Sequence, residues 1–233
     1  MQKKPVIIIA VLCVISLSLG YWVGLPKEVS GNSGDKKQPE FLNQGLVAYY
    51  PFNGNAKDES GNGHDGDIVG ATLCTNRFGV ADSACAFSAG NFIRVKDTFG
   101  ETLTITSWAL AVSPPAAMML WCFGDQVPSP DLFFYEGKIS LNTNDYAHNS
   151  FCSYSFKPNQ WTHYVTVISP DRTELYIDGE QVGKAAYRNP SEKPFLLNRA
   201  DYPWIGQIDD VRIYERALSE AEVKALFDYE RYR

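Results

Sequence analysis

The sequence predicts an all-β fold, a sandwich of two antiparallel sheets that is followed by a short C-terminal helix. Short apolar segments recur at intervals of roughly ten residues, with Gly, Pro and Asn between them, which is typical of a sandwich. The hydrophobic share of 45%, with 13% aromatic residues, is ample for a packed core. At 233 residues the chain can hold one such domain, because sandwiches often use around 200 residues as a single unit.

Residues 5–25 precede the predicted domain and carry no charge. About 20 apolar residues cross a bilayer as a helix, and this segment reaches that length. Lys3 and Lys4 would place its N-terminal end in the cytoplasm. The alternative is a cleaved signal peptide with Ser18-Leu19-Gly20 as its cleavage site, in which Ser18 and Gly20 are the small residues. We therefore expect either an inner-membrane anchor whose domain faces the periplasm, which the length favours, or a secreted protein.

The polar residues 26–44 are rich in turn-forming types and are predicted to be a flexible linker, so the domain would span residues 45–233. The net charge is −6, and Lys and Arg are scattered along the chain. A basic patch, the usual mark of a nucleic-acid partner, is missing from this sequence. Nucleic-acid binding is therefore not expected.

The domain opens with the apolar strand Leu46–Tyr50, which leads into a polar segment rich in Gly and Asn. Such residues form turns, because Gly adopts positive φ and Asx side chains bond to their own backbone. Asp58, Asn62 and Asp65 are also oxygen donors of the kind that calcium prefers. Further strands are predicted at residues 67–69, between Gly70 and the turn at residues 76–79, and at residues 84–87, 92–95, 103–112, 118–123, 132–135, 138–141, 150–156, 161–168, 172–177, 180–183 and 205–214.

The C-terminal helix is predicted to begin at Ser219, since Glu222 three residues later completes a capping box. Val223, Leu226 and Phe227 share one face of this helix and are expected to pack on the sandwich. Residues 228–233 are polar and are predicted to form a tail.

Three blocks of sequence, residues 45–66, 161–179 and 205–219, together resemble the laminin-G-like jelly-roll modules of the concanavalin A-like family. The blocks occur in the family's order, and the resemblance covers residues 45–227. It implies a two-sheet antiparallel jelly-roll. The family includes lectins, adhesion modules and glycanases, so the fold alone does not decide the function.

In the last predicted strand, Asp209 alternates with the apolar Val211 and Ile213, so all three side chains are expected on the same face of the sheet. An acidic side chain is thus expected on the face that the apolar residues direct into the core. A buried carboxylate is costly unless it is paired or binds a metal. A bulge between Ile208 and Val211, an arginine such as Arg212 or Arg94, or a cation would each resolve the conflict.

The resemblance implies the third solution, a structural calcium site. Asp58 and Asp209 would hold the ion, backbone carbonyls near Asn62 and His64 would complete its shell, and Asp210 is a weaker candidate. The alternative is a set of Asx-turn hydrogen bonds with an internal salt bridge.

Four cysteines follow the N-terminal segment, and an even number in an exported domain favours two disulfides. The preferred pairs are Cys74 with Cys85 and Cys122 with Cys152, and the alternative is four buried thiols. The absence of a C-x-x-C pair from the sequence disfavours a zinc or redox site.

Catalysis is not expected, because the nearest match to the paired acids of the glucanase branch, Glu174 to Glu180, has the wrong spacing and crosses a turn. Glycan recognition combines aromatic rings with Asn and Asp side chains, and loop residues of these types are weak candidates. They are Asn144, Asp145, Tyr146, Asn149, Phe151, Tyr202 and Trp204. The sequence thus predicts a non-enzymatic envelope module that binds a glycan or a protein. The alternatives are a glycan-active hydrolase or a structural subunit of an envelope or pilus-like assembly.

Overall fold

A computed structural model describes residues 38–112, 117–124, 130–141, 151–152, 156–186, 189–190 and 193–232. The predicted N-terminal segment 1–25 and most of the linker lie outside the described residues. Among the residues described, no helix has the length and apolar character that a membrane span requires.

The described chain forms fifteen strands and one helix. In chain order these are β1 (Leu46–Tyr50), β2 (Gly66–Val69), β3 (Thr72–Cys74), β4 (Ala84–Phe87), β5 (Phe92–Val95), β6 (Leu103–Ala111), β7 (Ala117–Phe123), β8 (Asp131–Tyr135), β9 (Lys138–Leu141), β10 (Phe151–Cys152), β11 (Thr162–Ser169), β12 (Arg172–Ile177), β13 (Glu180–Ala185), β14 (Phe195–Leu197), β15 (Gly206–Tyr214) and α1 (Glu220–Glu230).

The strands form two antiparallel sheets, which confirms the predicted sandwich. Sheet A has the order β13-β12-β11-β6-β15-β4-β3, and β1 pairs with β15 beside β4. Sheet B has the order β10-β9-β8-β7-β14-β5-β2. Strand β15 is thus central in sheet A, and a register shift interrupts its pairing with β6 between Asp209 and Arg212.

The core lies between the sheets and is built from aliphatic and aromatic side chains of both. Trp121, Phe123 and Phe195 of sheet B pack ring against ring, with centroids 5.3–6.3 Å apart. Ile105 and Ile213 contribute to the same core from sheet A. Burial of this apolar surface is the main force that holds the sheets together.

Helix α1 begins as predicted, because Ser219 and Glu222 form the complete capping box. Val223 and Leu226 are buried in a second cluster on the outer face of sheet A, which α1 covers. The helix continues to Glu230, so the first half of the predicted polar tail, residues 228–230, is helical. Its end carries a buried carboxylate, which is described below.

Two features differ from the predicted elements. Strand β14, with three residues, was not predicted, because so short a segment has no readable alternation, whereas β3 occupies the place of the strand predicted between Gly70 and the following turn. Leu42 is buried against the α1 cluster, with Phe41 partly buried beside it. The folded part of the chain therefore begins before the predicted boundary at residue 45.

Candidate ligand-binding site

A pocket of about 280 Å³ opens on the outer face of sheet B, where β5 and β14 run side by side. Alternate residues of a strand point to opposite faces of the sheet. Ile93 of β5 faces the core, so its neighbours Phe92 and Arg94 face outward. Leu196 of β14 stands opposite Arg94 and forms the floor beside it.

The wall of the pocket is the loop of residues 198–201, and Asn198 holds this loop in place. Asn198 is fully buried and has a φ of +64°, a left-handed conformation that Asn tolerates well. Its Oδ1 accepts hydrogen bonds from the backbone N–H groups of Arg199 (2.7 Å) and Trp204 (2.6 Å). Its Nδ2 donates to the carbonyl of Asn91 at 2.8 Å. The wall is therefore tied to the turn that precedes β5.

Two arginines and one aspartate bring charge to the pocket. Nε of Arg199 lies 2.7 Å from Oδ1 of Asp201, and the arginine side chain is 14% exposed whereas the aspartate is 53% exposed. The guanidinium of Arg94 lies 5.4 Å from the ring centre of Phe92. The pocket thus combines an aromatic face with fixed cationic hydrogen-bond donors.

Tyr202, a predicted ligand residue, directly follows the pocket-lining residues 198–201 in the chain, and its ligand role stays a prediction. Its amide donates to the carbonyl of Arg199 at 3.2 Å, and its ring meets Phe133 edge-on with centroids 5.3 Å apart. The prediction for Trp204 is wrong, because this side chain is 0% exposed and packs in the core against Phe134. Asn144, Asp145, Tyr146 and Asn149, with the side chain of Phe151, lie outside the described residues.

The carboxylate of Asp58, a predicted calcium ligand, is surrounded by protein donors. Its Oδ1 accepts from the N–H groups of Tyr49 (2.9 Å) and Ser60 (2.8 Å). Its Oδ2 accepts from the His64 N–H (3.0 Å) and the Ser60 hydroxyl (2.9 Å). Burial raises the pKa of Asp58, but the hydrogen bonds from Ser60, Tyr49 and His64 outweigh burial and hold the pKa below its usual value. The carboxylate acts as the centre of an Asx turn.

The other loop candidates also bond within the protein. The side chain of Asn62 donates to the carbonyls of Leu46 (3.2 Å) and Val47 (3.1 Å). The carbonyl of His64 accepts from the Tyr50 hydroxyl at 2.6 Å. The polar loop is therefore tied to β1 by its own side chains.

Asp209 and Asp210 both pair with Arg77, from the turn between β3 and β4. Nη1 of Arg77 contacts Asp209, and Nη2 lies 2.7 Å from Oδ2 of Asp210. The register shift in β15, with a φ of +46° at Asp210, turns these side chains to the outer face of sheet A. Both predicted structural solutions, a bulge and an arginine, are therefore used. The arginine that pairs with Asp209 is Arg77, which was not one of the predicted partners. Of the two that were predicted, Arg94 lies on sheet B, and Arg212 lies 3.8 Å from Asp210.

These donors bear on the predicted calcium site. A calcium ion would have to compete with the amides that fill Asp58 and with the guanidinium that already supplies positive charge to Asp209 and Asp210. No group of three or more His, Cys, Asp or Glu side chains with metal-site geometry occurs among the described residues. The residues therefore do not fit the ion in this arrangement, and the calcium site implied by the family resemblance stays a sequence-based expectation that awaits a binding test.

A buried polar cluster beneath α1 was not predicted from the sequence. Glu230 pairs with Arg212 and accepts from Nε1 of Trp108 at 2.8 Å. Nε2 of His163 lies 3.4 Å from the same carboxylate, and this side chain is also fully buried. Burial, with the nearby charges of Arg77 and Arg212, lowers the pKa of His163 to about 3. The histidine is therefore neutral at physiological pH.

The predicted disulfide between Cys74 and Cys85 does not form, and both are free thiols. Cys74 stands opposite Ala84 in the β3–β4 register, so Cys85 points to the other face of the sheet. Burial raises the pKa of Cys85 to about 12. The pair Cys122 and Cys152 lies on β7 and β10, which are separated by β8 and β9. Strands are about 4.8 Å apart, so this order places the two backbones beyond disulfide reach.

Comparisons with known proteins agree with this architecture. A family model described as the concanavalin A-like lectin/glucanases superfamily matches residues 85–224, more than half of the chain. No curated protein sequence matches the chain significantly.

Several solved structures share the fold at low sequence identity. Domain 4 of AbnA, a GH43 extracellular arabinanase from Geobacillus stearothermophilus in complex with arabinotriose, has a TM-score of 0.68 and 21% identity over 78% of this chain and 97% of that domain. The binding domain of Paraclostridial Mosquitocidal Protein 1 has a TM-score of 0.62 and 20% identity over 80% of this chain and 52% of its own length. The binding domain of Botulinum Neurotoxin DC in complex with SialylT has a TM-score of 0.61 and 13% identity over 80% of this chain and 51% of its own length. This chain thus spans about half of the toxin domains.

Proposed function

The chain belongs to the concanavalin A-like lectin/glucanase superfamily, and on that premise we propose that it is a non-catalytic module that binds a glycan through the sheet B pocket. The module would act at the cell envelope. Residues 5–25 would either anchor it in the inner membrane with the domain facing the periplasm, or direct its secretion as a cleaved signal.

The observation that carries this proposal is the composition of the pocket. A sugar ring has an apolar C–H face and an edge of hydroxyl groups, so its site needs an aromatic or apolar surface beside fixed polar groups. Phe92 and Leu196 supply the apolar surface. Arg94, Arg199 and Asp201 supply donors and an acceptor at its rim. A volume of about 280 Å³ lies just below the range of ligand pockets and suits a short stretch of sugar.

The structural neighbours support a binding role for this fold. The arabinanase domain was solved with arabinotriose, and one of the toxin domains was solved with SialylT. These domains share the fold of this chain at 13–21% identity, so they support the class of ligand and not its identity.

The acids near the pocket favour binding over hydrolysis. Glycoside hydrolysis requires two carboxylates on either side of the scissile bond. Asp201 is the one carboxylate among the described residues that line the pocket, and Arg199 holds it. Glu174, the acid of the glucanase-like segment, pairs with Arg172 at 3.0 Å and with Lys184 at 3.2 Å on the outer face of sheet A.

A glycan array followed by calorimetry on the full-length protein in detergent tests the proposal. We expect the protein to bind at least one family of oligosaccharides, and Phe92→Ala to weaken that binding about tenfold because it removes the aromatic face. Phe78→Ala is the matched control, since Phe78 is an exposed aromatic residue in the turn between β3 and β4. Incubation with the bound glycan should release no shorter products. If no glycan binds, if both variants behave alike, or if hydrolysis occurs, the proposal is wrong.

A further inference from the structure

We propose that the sheet B pocket selects sugars that carry a carboxylate group, an inference that rests on the glycan-binding function proposed above. Arg94 and Arg199 are the residues that would recognise the acid. Asp201 would limit the preference by partly neutralising Arg199.

The charge around the pocket differs in sign from that of the whole chain. The chain has a net charge of −6, so its general field repels anions. Within the pocket lining, two arginines face one aspartate. The neighbouring strand β2 adds Asp67 opposite Arg94, but Lys96 pairs with this aspartate at 2.6 Å. Among the described residues that line the pocket, arginines thus outnumber carboxylates by one, and the buried Asp131 lies farther along the same face of sheet B.

The arginines are held in fixed positions, which selectivity requires. Arg94 is part of β5, which pairs on both sides with β2 and β14. Arg199 follows Asn198, whose side chain fixes the loop by three hydrogen bonds of 2.6–2.8 Å. The Asp201 carboxylate contacts Arg199 at Nε and so orients the guanidinium plane. A planar guanidinium presents paired N–H donors that match the two oxygens of a carboxylate.

The neutral part of the same ligand would use the apolar surface. Phe92 lies under the Arg94 guanidinium, with 5.4 Å between the guanidinium carbon and the ring centre. A sugar ring that packs against the part of Phe92 left uncovered by the guanidinium would have its substituents close to that cation. This arrangement places the acid group of a uronic or sialic acid beside the cation and its ring against the aromatic residue.

Matched pairs of probes test the inference on the full-length protein in detergent. The first pair is trigalacturonate and its methyl ester, and the second is sialyllactose and lactose. We expect the acidic member of at least one pair to bind at least about tenfold more tightly at low salt, because each charge-assisted contact contributes about this factor. The difference should shrink at high salt, since added ions screen exposed charges.

Charge variants assign the effect to the pocket. Arg94→Gln and Arg199→Gln should each remove most of the acid preference, and Asp201→Asn should increase it. Arg231→Gln is the matched control, because it removes the same charge beyond α1 on the sheet A side. Equal losses in all three arginine variants would show a whole-molecule charge effect and would overturn the inference.

The two proposals fail in distinguishable ways. If neutral arabino-oligosaccharides or lactose bind at the pocket and neither acidic probe binds more tightly, the acid preference is wrong while glycan binding stands. If no probe and no array glycan binds, the glycan-binding function itself is wrong. If the acidic probes bind but Phe92→Ala and Arg199→Gln leave their affinity unchanged, the site is elsewhere and the inference fails.

Discussion

Glu230, in the last turn of α1, pairs with Arg212 in the middle of β15, and both side chains are buried under the helix. Trp108 of β6 donates its indole N–H to the same carboxylate at 2.8 Å. The guanidinium of Arg212 also lies 4.0 Å from the ring centre of Tyr49 on β1. Glu230 thus joins the helix to β15 and β6, and its partner Arg212 extends the contact to β1.

Replacement of Glu230 should therefore reduce stability strongly. Glu230→Gln keeps the size of the side chain but leaves the Arg212 charge buried without its carboxylate, which typically costs 3–5 kcal/mol. We expect a loss of about 3 kcal/mol in the free energy of unfolding, measured in urea. Glu220→Gln in the first turn of α1 is the control and should cost less than about 0.5 kcal/mol, because that side chain is exposed. A loss below about 1 kcal/mol for Glu230→Gln would contradict the assignment.

His163 should make stability depend on pH. Its folded pKa of about 3 lies below the unfolded value of about 6.5, so the unfolded chain binds the proton first as the pH falls. The contribution is fully present above pH 6.5 and is lost progressively toward pH 3, at up to about 1.4 kcal/mol per pH unit.

His163→Phe should remove this dependence, because neither ring nitrogen of His163 makes a hydrogen bond, although Nε2 lies 3.4 Å from Glu230. The His163 ring packs against Trp108 and Phe227, with centroids 5.1 and 5.9 Å away, and a phenyl ring can keep these contacts. We expect wild type and variant to be parallel above pH 7 and to diverge below about pH 6, in urea denaturation at several pH values. Parallel curves down to pH 4 would show that the histidine is not buried in the neutral form.

The elements with clear alternation were predictable from the sequence, and the long-range pairs were not. Strands β4, β5, β9 and β12 have the predicted bounds, because turn residues mark both of their ends. The capping box at Ser219 was equally local. Glu230 looked like part of a polar tail, since nothing near it in the chain reveals the arginine of β15 that it meets.

The candidate site shows the same limit. Asp209 was recognised as a conflict, but its partner Arg77 lies 132 positions away in an ordinary turn sequence. The pocket wall at residues 198–201 follows a strand too short to predict. Of the two aromatic candidates that follow this wall, Tyr202 and Trp204, the second fills the core. The sequence does contain a residue that tolerates a left-handed backbone, Asn198, directly before the cationic Arg199. This pair does not by itself indicate a pocket, because the other side of the pocket comes from strand β5.

Calcium gives a direct test of the alternative reading of the acidic residues. Since Arg77 pairs with Asp209 and Asp210, and amides fill Asp58, millimolar calcium should not raise the melting temperature. We expect thermal unfolding in calcium and in EDTA to agree within about 1 °C. A calcium-dependent rise of several degrees, absent with magnesium, would mean that the loop rearranges to bind the ion, as the family resemblance implied.

Asn198 should be the residue on which the shape of the pocket most depends. Asn198→Gly keeps the left-handed backbone but removes the side-chain hydrogen bonds to the backbone of Asn91, Arg199 and Trp204. The buried N–H of Trp204 then loses its acceptor. We expect a loss of about 2 kcal/mol in the free energy of unfolding and a weakening of glycan binding, because each such bond contributes about 1 kcal/mol. Asn159→Gly is the matched control, since Asn159 has a φ of +57° in an exposed turn. The glycan affinity and the free energy of unfolding are to be measured on both variants. If Asn198→Gly and Asn159→Gly lose the same affinity and the same stability, the Asn198 side chain does not hold the wall of the pocket.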